Sequence, residues 1–247
     1  MAASTTSVLP VDINSLHQSA DLGDTDAMVK LGVLYSGALS SLGHLPPDYG
    51  QSMLWLHRAA DQGNSNAMAL IGASYIRGQD GLKADPGQAI GWLRKASDLG
   101  NPAAMYSLGM VLENGPGTPA DKAEAMRWFI RSAQLGSVDA MTMSGIRYIS
   151  GVNGQGPNYA EAIHWFRTAA DKGDATAMFM VADLYRYGLG VPTDYAEAMR
   201  WSLKAAQVGN ADAMKLIGEM YEKGLGVPAD KVEAHRWVQM AAKPVGN

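Results

Sequence analysis

The chain has 247 residues, a formal net charge of −4 at pH 7, 47% hydrophobic residues and no cysteine. The lack of cysteine excludes disulfides and thiol chemistry, and no basic stripe indicates nucleic-acid binding. No apolar run approaches the ~20 residues that span a bilayer, so we expect no membrane span.

The first ten residues are rich in Ser, Thr and Ala. They lack both a basic region and an apolar stretch, so they do not have the pattern of a secretion signal. We predict a disordered tail over residues 1–10, one folded domain over 11–243 and a short tail over 244–247. A cytoplasmic location is favoured because neither a signal peptide nor cysteine is present.

Val11 to Leu22 is predicted to form a lone helix ahead of a regular pattern. Six Trp residues then follow at intervals of 36 or 37 residues. A fixed period of this size indicates one supersecondary unit copied six times. The six are Trp55, Trp92, Trp128, Trp165, Trp201 and Trp237. Ser15 occupies the Trp position of the lone helix, as expected of an atypical terminal cap.

The first half of each unit is predicted to be a helix, here called helix A. It opens with Gly, carries Ala-Met four and five residues later, and continues with a small and then a large apolar or aromatic residue. These positions lie on one helical face. The small residue is usually Gly, which costs about 1 kcal/mol of helix propensity and therefore predicts a closely packed neighbour there. The small residues are Gly32, Gly72, Gly109, Gly145, Ala182 and Gly218.

The second half, helix B, follows a Gly/Pro loop and contains the Trp. Its start is predicted from an Asp or Asn with Glu or Gln three residues later, the pattern of a reciprocal capping box. The pairs are Asp48/Gln51, Asp85/Gln88, Asp121/Glu124, Asn158/Glu161, Asp194/Glu197 and Asp230/Glu233.

Neither the Trp column nor the paired carboxylates predicts chemistry. A Trp at helical spacing among Ala and Met is typical of a core, although it could also be a ligand platform. The carboxylates stand at helix starts, where capping accounts for them better than acid–base catalysis. No nucleophile, phosphate-loop or metal-ligand motif is present. We therefore predict no catalytic residue, no cofactor and no metal.

These repeats resemble the Sel-one-like repeat (SLR) family of tetratricopeptide-related helical hairpins. The resemblance is carried by Gly218, Tyr221, the Gly224–Pro228 loop, Asp230 and Trp237, and by the matching residues of the other copies. It covers about residues 11 to 243. It implies an all-α fold: a right-handed α-α superhelix (solenoid) of six helical hairpins plus an N-terminal capping helix. It also implies an adaptor or scaffold, often bacterial, that binds proteins or peptides.

Two parts of the chain depart from the common unit. The first loop, Gly37 to Pro47, is longer than its counterparts and is either a specific contact or a tolerated surface insertion. No polar helix follows the last repeat, so the face near Val238 is expected to be exposed or to contact another chain. Homodimerisation through this repeat is a compatible hypothesis.

By resemblance to tetratricopeptide arrays, the A helices line a concave groove whose side chains differ between repeats. Large apolar residues in its middle suggest a protein contact, and charged residues follow towards the C-terminus. The alternative is that curvature buries this column between adjacent A helices. The predicted partner-binding residues are Ile76, Tyr106, Met110, Ile146, Ile149, Phe179, Asp183, Arg186, Tyr187 and Glu219.

We therefore predict a non-enzymatic adaptor that binds a polypeptide partner in this groove. Two other functions stay open. One is an immunity protein that neutralises a secreted bacterial toxin by direct binding. The other is penicillin binding or β-lactam hydrolysis, which some relatives suggest but for which this chain lacks Ser-x-x-Lys and any convergent His/Asp/Ser cluster.

Overall fold

The computed structural model describes residues 12–37, 46–115, 119–151 and 155–242. The predicted tails and most of the long first loop lie outside these residues. The described residues form thirteen helices and no strand, in agreement with the predicted all-α class. In chain order the helices are α1 (Ile13–Asp21), α2 (Thr25–Tyr35), α3 (Tyr49–Asp61), α4 (Ser65–Arg77), α5 (Pro86–Asp98), α6 (Pro102–Asn114), α7 (Pro119–Gln134), α8 (Val138–Ser150), α9 (Tyr159–Ala170), α10 (Ala175–Tyr187), α11 (Tyr195–Gln207), α12 (Ala211–Lys223) and α13 (Lys231–Ala242).

After the lone helix α1, the even-numbered helices are the predicted A helices and the odd-numbered ones are the B helices. Within a repeat the two helices pack together, as in α4 with α5 and α10 with α11. The B helices also pack against the A helix that follows them, as in α3 with α4 and α9 with α10. This alternation confirms the solenoid of six hairpins with a preceding helix.

The chain divides into two compact units, residues 1–111 and 112–247. Each unit has fully buried apolar side chains of its own, among them Leu31 and Ile71 in the first and Phe129 and Phe166 in the second. The single domain over 11–243 therefore stays a prediction.

The opening Gly of each repeat has a conformational reason. Gly173, for example, has a φ of +93°, a left-handed conformation that residues with a Cβ rarely adopt. The next residue, Asp174, caps α10 by accepting from the backbone N–H groups of Thr176 and Ala177. A capping Asp or Asn stabilises a helix start because it satisfies amides that have no partner within the helix.

These caps also tie neighbouring A helices together. Thr142 of α8 donates to the Asp174 carboxylate at 2.6 Å, and the Asn210 side chain, which caps α12, donates to the Ala175 carbonyl of α10 at 3.3 Å. In the first unit, the Asn101 amide reaches Asn66 of α4 at 2.7 Å. One residue therefore both starts an A helix and fixes its position beside the preceding one.

The predicted caps of the B helices are confirmed in five repeats. The Asp48, Asp85, Asn158, Asp194 and Asp230 side chains each accept from the backbone N–H three residues later, at 3.0 to 3.1 Å. In the remaining repeat the predicted start is wrong, because α7 begins at Pro119 and Asp121 lies within its first turn.

The reciprocal half of the capping box is not formed in those five repeats. The cap's own N–H donates instead to the carbonyl of the aromatic residue near the end of helix A, as from Asp194 to Tyr185 at 3.0 Å and from Asp230 to Tyr221 at 2.8 Å. The tertiary bond that closes the hairpin therefore replaces the local one. Glu197 and Glu233 pair instead with Arg200 and Arg236 on their own helices.

The small residue in the middle of helix A allows helix B to pack closely against it, as the helix-propensity cost of Gly at this position predicted. A Cβ added at Gly72 would lie 2.7 Å from Leu93, and one added at Gly145 would lie 2.6 Å from the Phe166 ring. Both partners directly follow a Trp and are fully buried. In these two repeats the residue after the Trp therefore fills the contact between the two helices.

The prediction of a Trp core is confirmed only in part. Trp55 and Trp201 are buried, at 4% and 8% exposure, whereas the other four are half-buried. Cations from the same helix cover several rings: Lys95 lies 4.6 Å from the centre of Trp92, and Lys204 lies 4.2 Å from that of Trp201. The Trp thus lies at the edge of the core, with a cation–π contact on its outer face.

Candidate partner-binding face

In the second unit, the predicted binding residues lie on three A helices, α8, α10 and α12. On α10, Phe179, Asp183 and Arg186 are spaced by four and three residues and therefore share one side of the helix. On α8, Ile146 and Ile149 are three residues apart and therefore also share one side of their helix. The direct contact of Arg186 with Glu219 on α12 shows that the corresponding sides of α10 and α12 are neighbours. We call this surface the second-unit face.

The apolar residues of this face are half-buried rather than free. Ile146, Ile149 and Phe179 all have intermediate exposure, whereas Tyr187 at the end of α10 is 58% exposed. Part of the column is therefore covered within the unit, as the alternative to the binding interpretation expected. The uncovered part remains accessible to a partner.

The charged residues of this face pair with each other. Arg186 and Glu219 form an ion pair of 2.6 Å between α10 and α12, and Lys223 reaches the same Glu219 oxygen at 2.6 Å. The Arg186 guanidinium also lies 4.9 Å from the centre of the Tyr187 ring. The Arg186 and Glu219 charges, which were predicted to contact a partner, are thus already used to hold adjacent repeats together.

Asp183 differs from these paired groups. Burial raises the pKa of its carboxyl above the ordinary value, the nearby Arg186 offsets part of this effect, and Glu219 adds to it. No hydrogen bond reaches the Asp183 carboxylate from the described residues. The hydrogen bonds from Lys223 and Arg186 instead lower the pKa of Glu219, against the opposing effect of burial. Asp183 is therefore a partly buried carboxylate of the face that accepts no hydrogen bond from the described residues.

The remaining predicted residues, Ile76, Tyr106 and Met110, belong to the first unit. Ile76 is 39% exposed at the end of α4, and the other two are half-buried on α6. Since the predicted groove residues are divided between two units, one continuous groove stays a prediction.

Sequence analysis missed an ion pair in the second unit. Arg147 of α8 lies 2.8 Å from Glu113 at the end of α6, as a charge contact without hydrogen-bond geometry. Its signal was present: Arg147 stands two residues after Gly145, where other repeats carry the buried Leu34, Leu184 and Met220. A cation at a position that is apolar in those repeats indicates an acidic side chain on a neighbouring helix.

Among the described residues no helix follows α13, and two of its apolar side chains are exposed, as expected. Val232 and Val238 of α13 are 77% and 49% exposed. Dimerisation through this face stays a prediction. Among the described residues, no helix is both long and apolar enough to cross a membrane, and no group of three or more His, Asp or Glu side chains is placed to hold a metal ion.

Paired helices that pack in sequence, with each repeat tied to the next, define an α-solenoid repeat protein. The Sel1 repeat profile matches residues 25–64, 65–101, 102–137, 138–174, 175–210 and 211–243. The chain therefore belongs to the Sel1 repeat family, whose members generally mediate protein–protein interactions.

Solved structures with similar folds include proteins of several bacteria. A protective antigen of uropathogenic Escherichia coli strains that displays an SLR fold is 30% identical, with a TM-score of 0.85 over 94% of this chain and 49% of its own. This chain thus spans about half the length of that antigen. A Sel1 repeat protein from Oxalobacter formigenes is 29% identical, with a TM-score of 0.76 over 93% of this chain and 98% of its own.

An immunity protein from Pseudomonas aeruginosa is more distant. It is 23% identical, with a TM-score of 0.54 over 89% of this chain and 80% of its own. At this identity the likeness shows the fold alone. A search of curated proteins found no match to this chain.

Proposed function

We propose that this protein is a non-enzymatic scaffold that binds a polypeptide partner on its A-helix side, with the second-unit face as the main contact. The proposal is carried by the composition of this face. The exposed Tyr187 and the half-buried Phe179 lie on α10 with Asp183, a carboxylate without a hydrogen bond from the described residues, and the half-buried Ile146 and Ile149 lie on the neighbouring α8. Aromatic and apolar anchors beside a polar group are the usual anatomy of a protein-binding patch.

An ion pair and a hydrogen bond between repeats support this proposal by making the face rigid. Arg186 and Glu219 hold α10 beside α12, and Thr142 and Asp174 hold α8 beside α10. A surface ordered before binding loses less conformational entropy when the partner arrives. We infer that these pairs preorganise the face and that the apolar side chains and Asp183 contact the partner.

The test compares one variant on the A-helix side of each unit with a control variant elsewhere in the second unit. We expect Phe179→Ala, and in the first unit Tyr106→Ala, each to weaken partner binding by roughly 2 kcal/mol, the typical effect of truncating an interface anchor. Val208→Ala is the control, because Val208 is 56% exposed on a turn outside the face. The partner is first captured from lysate with the wild-type chain, and its affinity for each variant is then measured by calorimetry.

Melting curves exclude unfolding as the cause of weaker binding, since both substituted side chains are half-buried. Unchanged affinity in Phe179→Ala and Tyr106→Ala would overturn the assignment of the A-helix side. Equal losses in these variants and in Val208→Ala would also count against it.

A role as an immunity protein is a more specific alternative within protein binding. It rests on a fold likeness to immunity proteins, so it stays a hypothesis. It requires a tight one-to-one complex with a toxin, and rescue of cells that produce that toxin would distinguish it from a general adaptor. The hydrolase alternative requires turnover of a β-lactam, which an assay with a small substrate panel tests directly.

A further inference from the structure

A cavity of about 580 Å³ lies within the first unit, where α2 and α4 end. Its volume is within the ~300–1,000 Å³ of small-molecule pockets. Its walls include the apolar side chains Val33, Leu56 and Leu70. Its polar lining includes Ser74 and Asp80, and the exposed Arg77 and Tyr49 lie at its rim. None of these residues belongs to the second-unit face, so this site does not depend on the function proposed above.

One substitution between repeats opens the cavity. Ser74 stands two residues after Gly72 and is 3% exposed. The residues at the same place in repeats one, five and six are Leu34, Leu184 and Met220, all buried apolar side chains. Replacing a large apolar side chain with a small one leaves space that the surrounding core fills only in part. Repeat two therefore has a small hydroxyl side chain where repeats one, five and six have a large buried apolar one.

An extra residue in the loop after α4 places a carboxylate at this hollow. Asp80 has a φ of +56°, the only positive φ among the described non-glycine residues. Gly81 of repeat two, with a φ of +75°, corresponds to Gly190 and Gly226 of repeats five and six, because each stands four residues before the cap of helix B. Repeat two thus keeps the glycine turn of the other repeats, and Asp80 is an additional left-handed residue directly before it. Non-glycine residues in this conformation are strained and are found preferentially at functional sites.

The Asp80 side chain points back to the hollow and is held there. Ser74 Oγ donates to Asp80 Oδ2 at 2.5 Å. No hydrogen bond from the described residues reaches the other oxygen, Oδ1. A half-buried carboxylate with a free oxygen favours a donor as its ligand, because a desolvated acceptor without a partner costs free energy.

The electrostatic surroundings favour a cation. The cavity lies at the C-terminal ends of two helices, where the helix dipole is negative, and Asp80 adds a full negative charge. Arg77 is the opposing charge, but it is exposed and donates through Nε to Gln79 at 2.5 Å. Solvent screens its effect at the rim. The apolar walls match an aliphatic stem.

We propose that this cavity binds an aliphatic ammonium group, with Asp80 as the counter-ion and Val33, Leu56 and Leu70 around the methylene chain. The same chemistry is available from the lysine side chain of a polypeptide and from a free alkylamine. Ser74 has two roles in this site: its small size makes the space, and its hydroxyl orients the carboxylate.

The experiment is an NMR titration of the amide signals of the full chain. The probes are 1,5-diaminopentane and a short peptide with one lysine, with 1-pentanol and pentanoate as uncharged and anionic controls. We expect saturable shifts at Ser74, Asp80 and Gly81 with the two ammonium probes only. Tighter binding of the peptide would identify a polypeptide as the source, and tighter binding of the diamine a free amine.

Two variants separate binding from folding. Asp80→Asn keeps a residue that tolerates the left-handed turn and removes the charge, so we expect binding to weaken at least fivefold. Ser74→Leu restores the side chain found in repeats one and five, so we expect loss of binding together with a higher Tm. Asp80→Gly is the folding control, since it removes the strain and should also raise Tm while abolishing binding.

Three results would overturn the proposal. The first is that neither ammonium probe shifts an amide of the cavity. The second is that pentanoate binds in their place, which would make Arg77 the determinant. The third is that the wild-type shifts persist unchanged in both Asp80→Asn and Ser74→Leu.

Discussion

Replacing Gly145 by Ala brings two opposing effects on α8 into one measurement. Ala stabilises a helix interior by about 1 kcal/mol relative to Gly. The new Cβ, however, would lie 2.6 Å from Cε1 and 2.8 Å from Cζ of Phe166. Optimal carbon separations are about 3.5–4.0 Å, and Phe166 is fully buried, so its ring can withdraw only by displacing the core around it. Overpacking of this kind costs typically about 1–3 kcal/mol.

The cost of overlap therefore exceeds the gain in helix propensity, and we expect Gly145→Ala to destabilise the protein by about 1 kcal/mol. This corresponds to a fall in Tm of about 2–4 °C for a chain of this size. Gly91→Ala is the matched control, because Gly91 lies in the middle of α5 with no atom within 4 Å of its added Cβ. That variant should gain about 1 kcal/mol. Urea unfolding and differential scanning calorimetry measure both.

The decisive comparison repeats Gly145→Ala in a Phe166→Ala background. Without the ring, the same substitution should become stabilising, so its effect changes sign. Repeat five already shows this combination, with Ala182 on helix A and the small, fully buried Ser202 at the position after its Trp. A Gly145→Ala variant as stable as Gly91→Ala would refute the close-contact account.

Burial and charge give three further predictions. Phe166→Ala should cost about 3–5 kcal/mol, and Trp165→Ala clearly less because Trp165 is only half-buried; denaturant midpoints compare them, and a larger loss for Trp165→Ala would contradict the order. Since the pKa of Asp183 is raised in the folded state, its contribution to stability is present below the unfolded pKa and is lost as pH rises through the folded pKa. Asp183→Asn should therefore raise Tm at pH 7, and this gain should vanish as the pH falls towards about 4, near the ordinary pKa of Asp. The pKa of Glu219 is lowered, so its contribution is present above the unfolded pKa and is lost as pH falls through the folded pKa. Glu219→Gln should lower Tm at pH 7 and have little effect in acid. Thermal melts from pH 3 to 7 test both signs, and parallel pH profiles of the two variants would disprove the assignment.

The Asp183 prediction connects stability to the proposed binding role. A carboxylate that destabilises the free protein at neutral pH has to be offset by some other benefit, and a partner's hydrogen-bond donor would provide one. Asp183→Asn should then be more stable than wild type yet weaker in binding. Higher stability together with weaker binding would identify Asp183 as a binding residue. Removal of Arg186 or Glu219, which pair with each other, should instead lower stability directly.

The architecture could be obtained from the sequence because each repeat contains the same local signals. The Trp period, the Gly that needs a positive φ, and the Asp or Asn at the start of five of the six B helices are all of this kind. They depend on backbone conformation and on apolar spacing within a single hairpin. Six copies of the same signals remove the ambiguity that any single copy would leave. The family relationship then followed from the same residues.

Tertiary structure alone decided how polar groups are shared between elements. The N–H of Asp194 bonds to the Tyr185 carbonyl rather than to a Glu of its own helix, and Arg186 pairs with Glu219, 33 residues away. Such choices depend on distances between helices, which spacing along the chain does not specify. The Ser74–Asp80 cavity has the same origin: both residues are visible in the sequence, but only packing shows that one makes the space into which the other points.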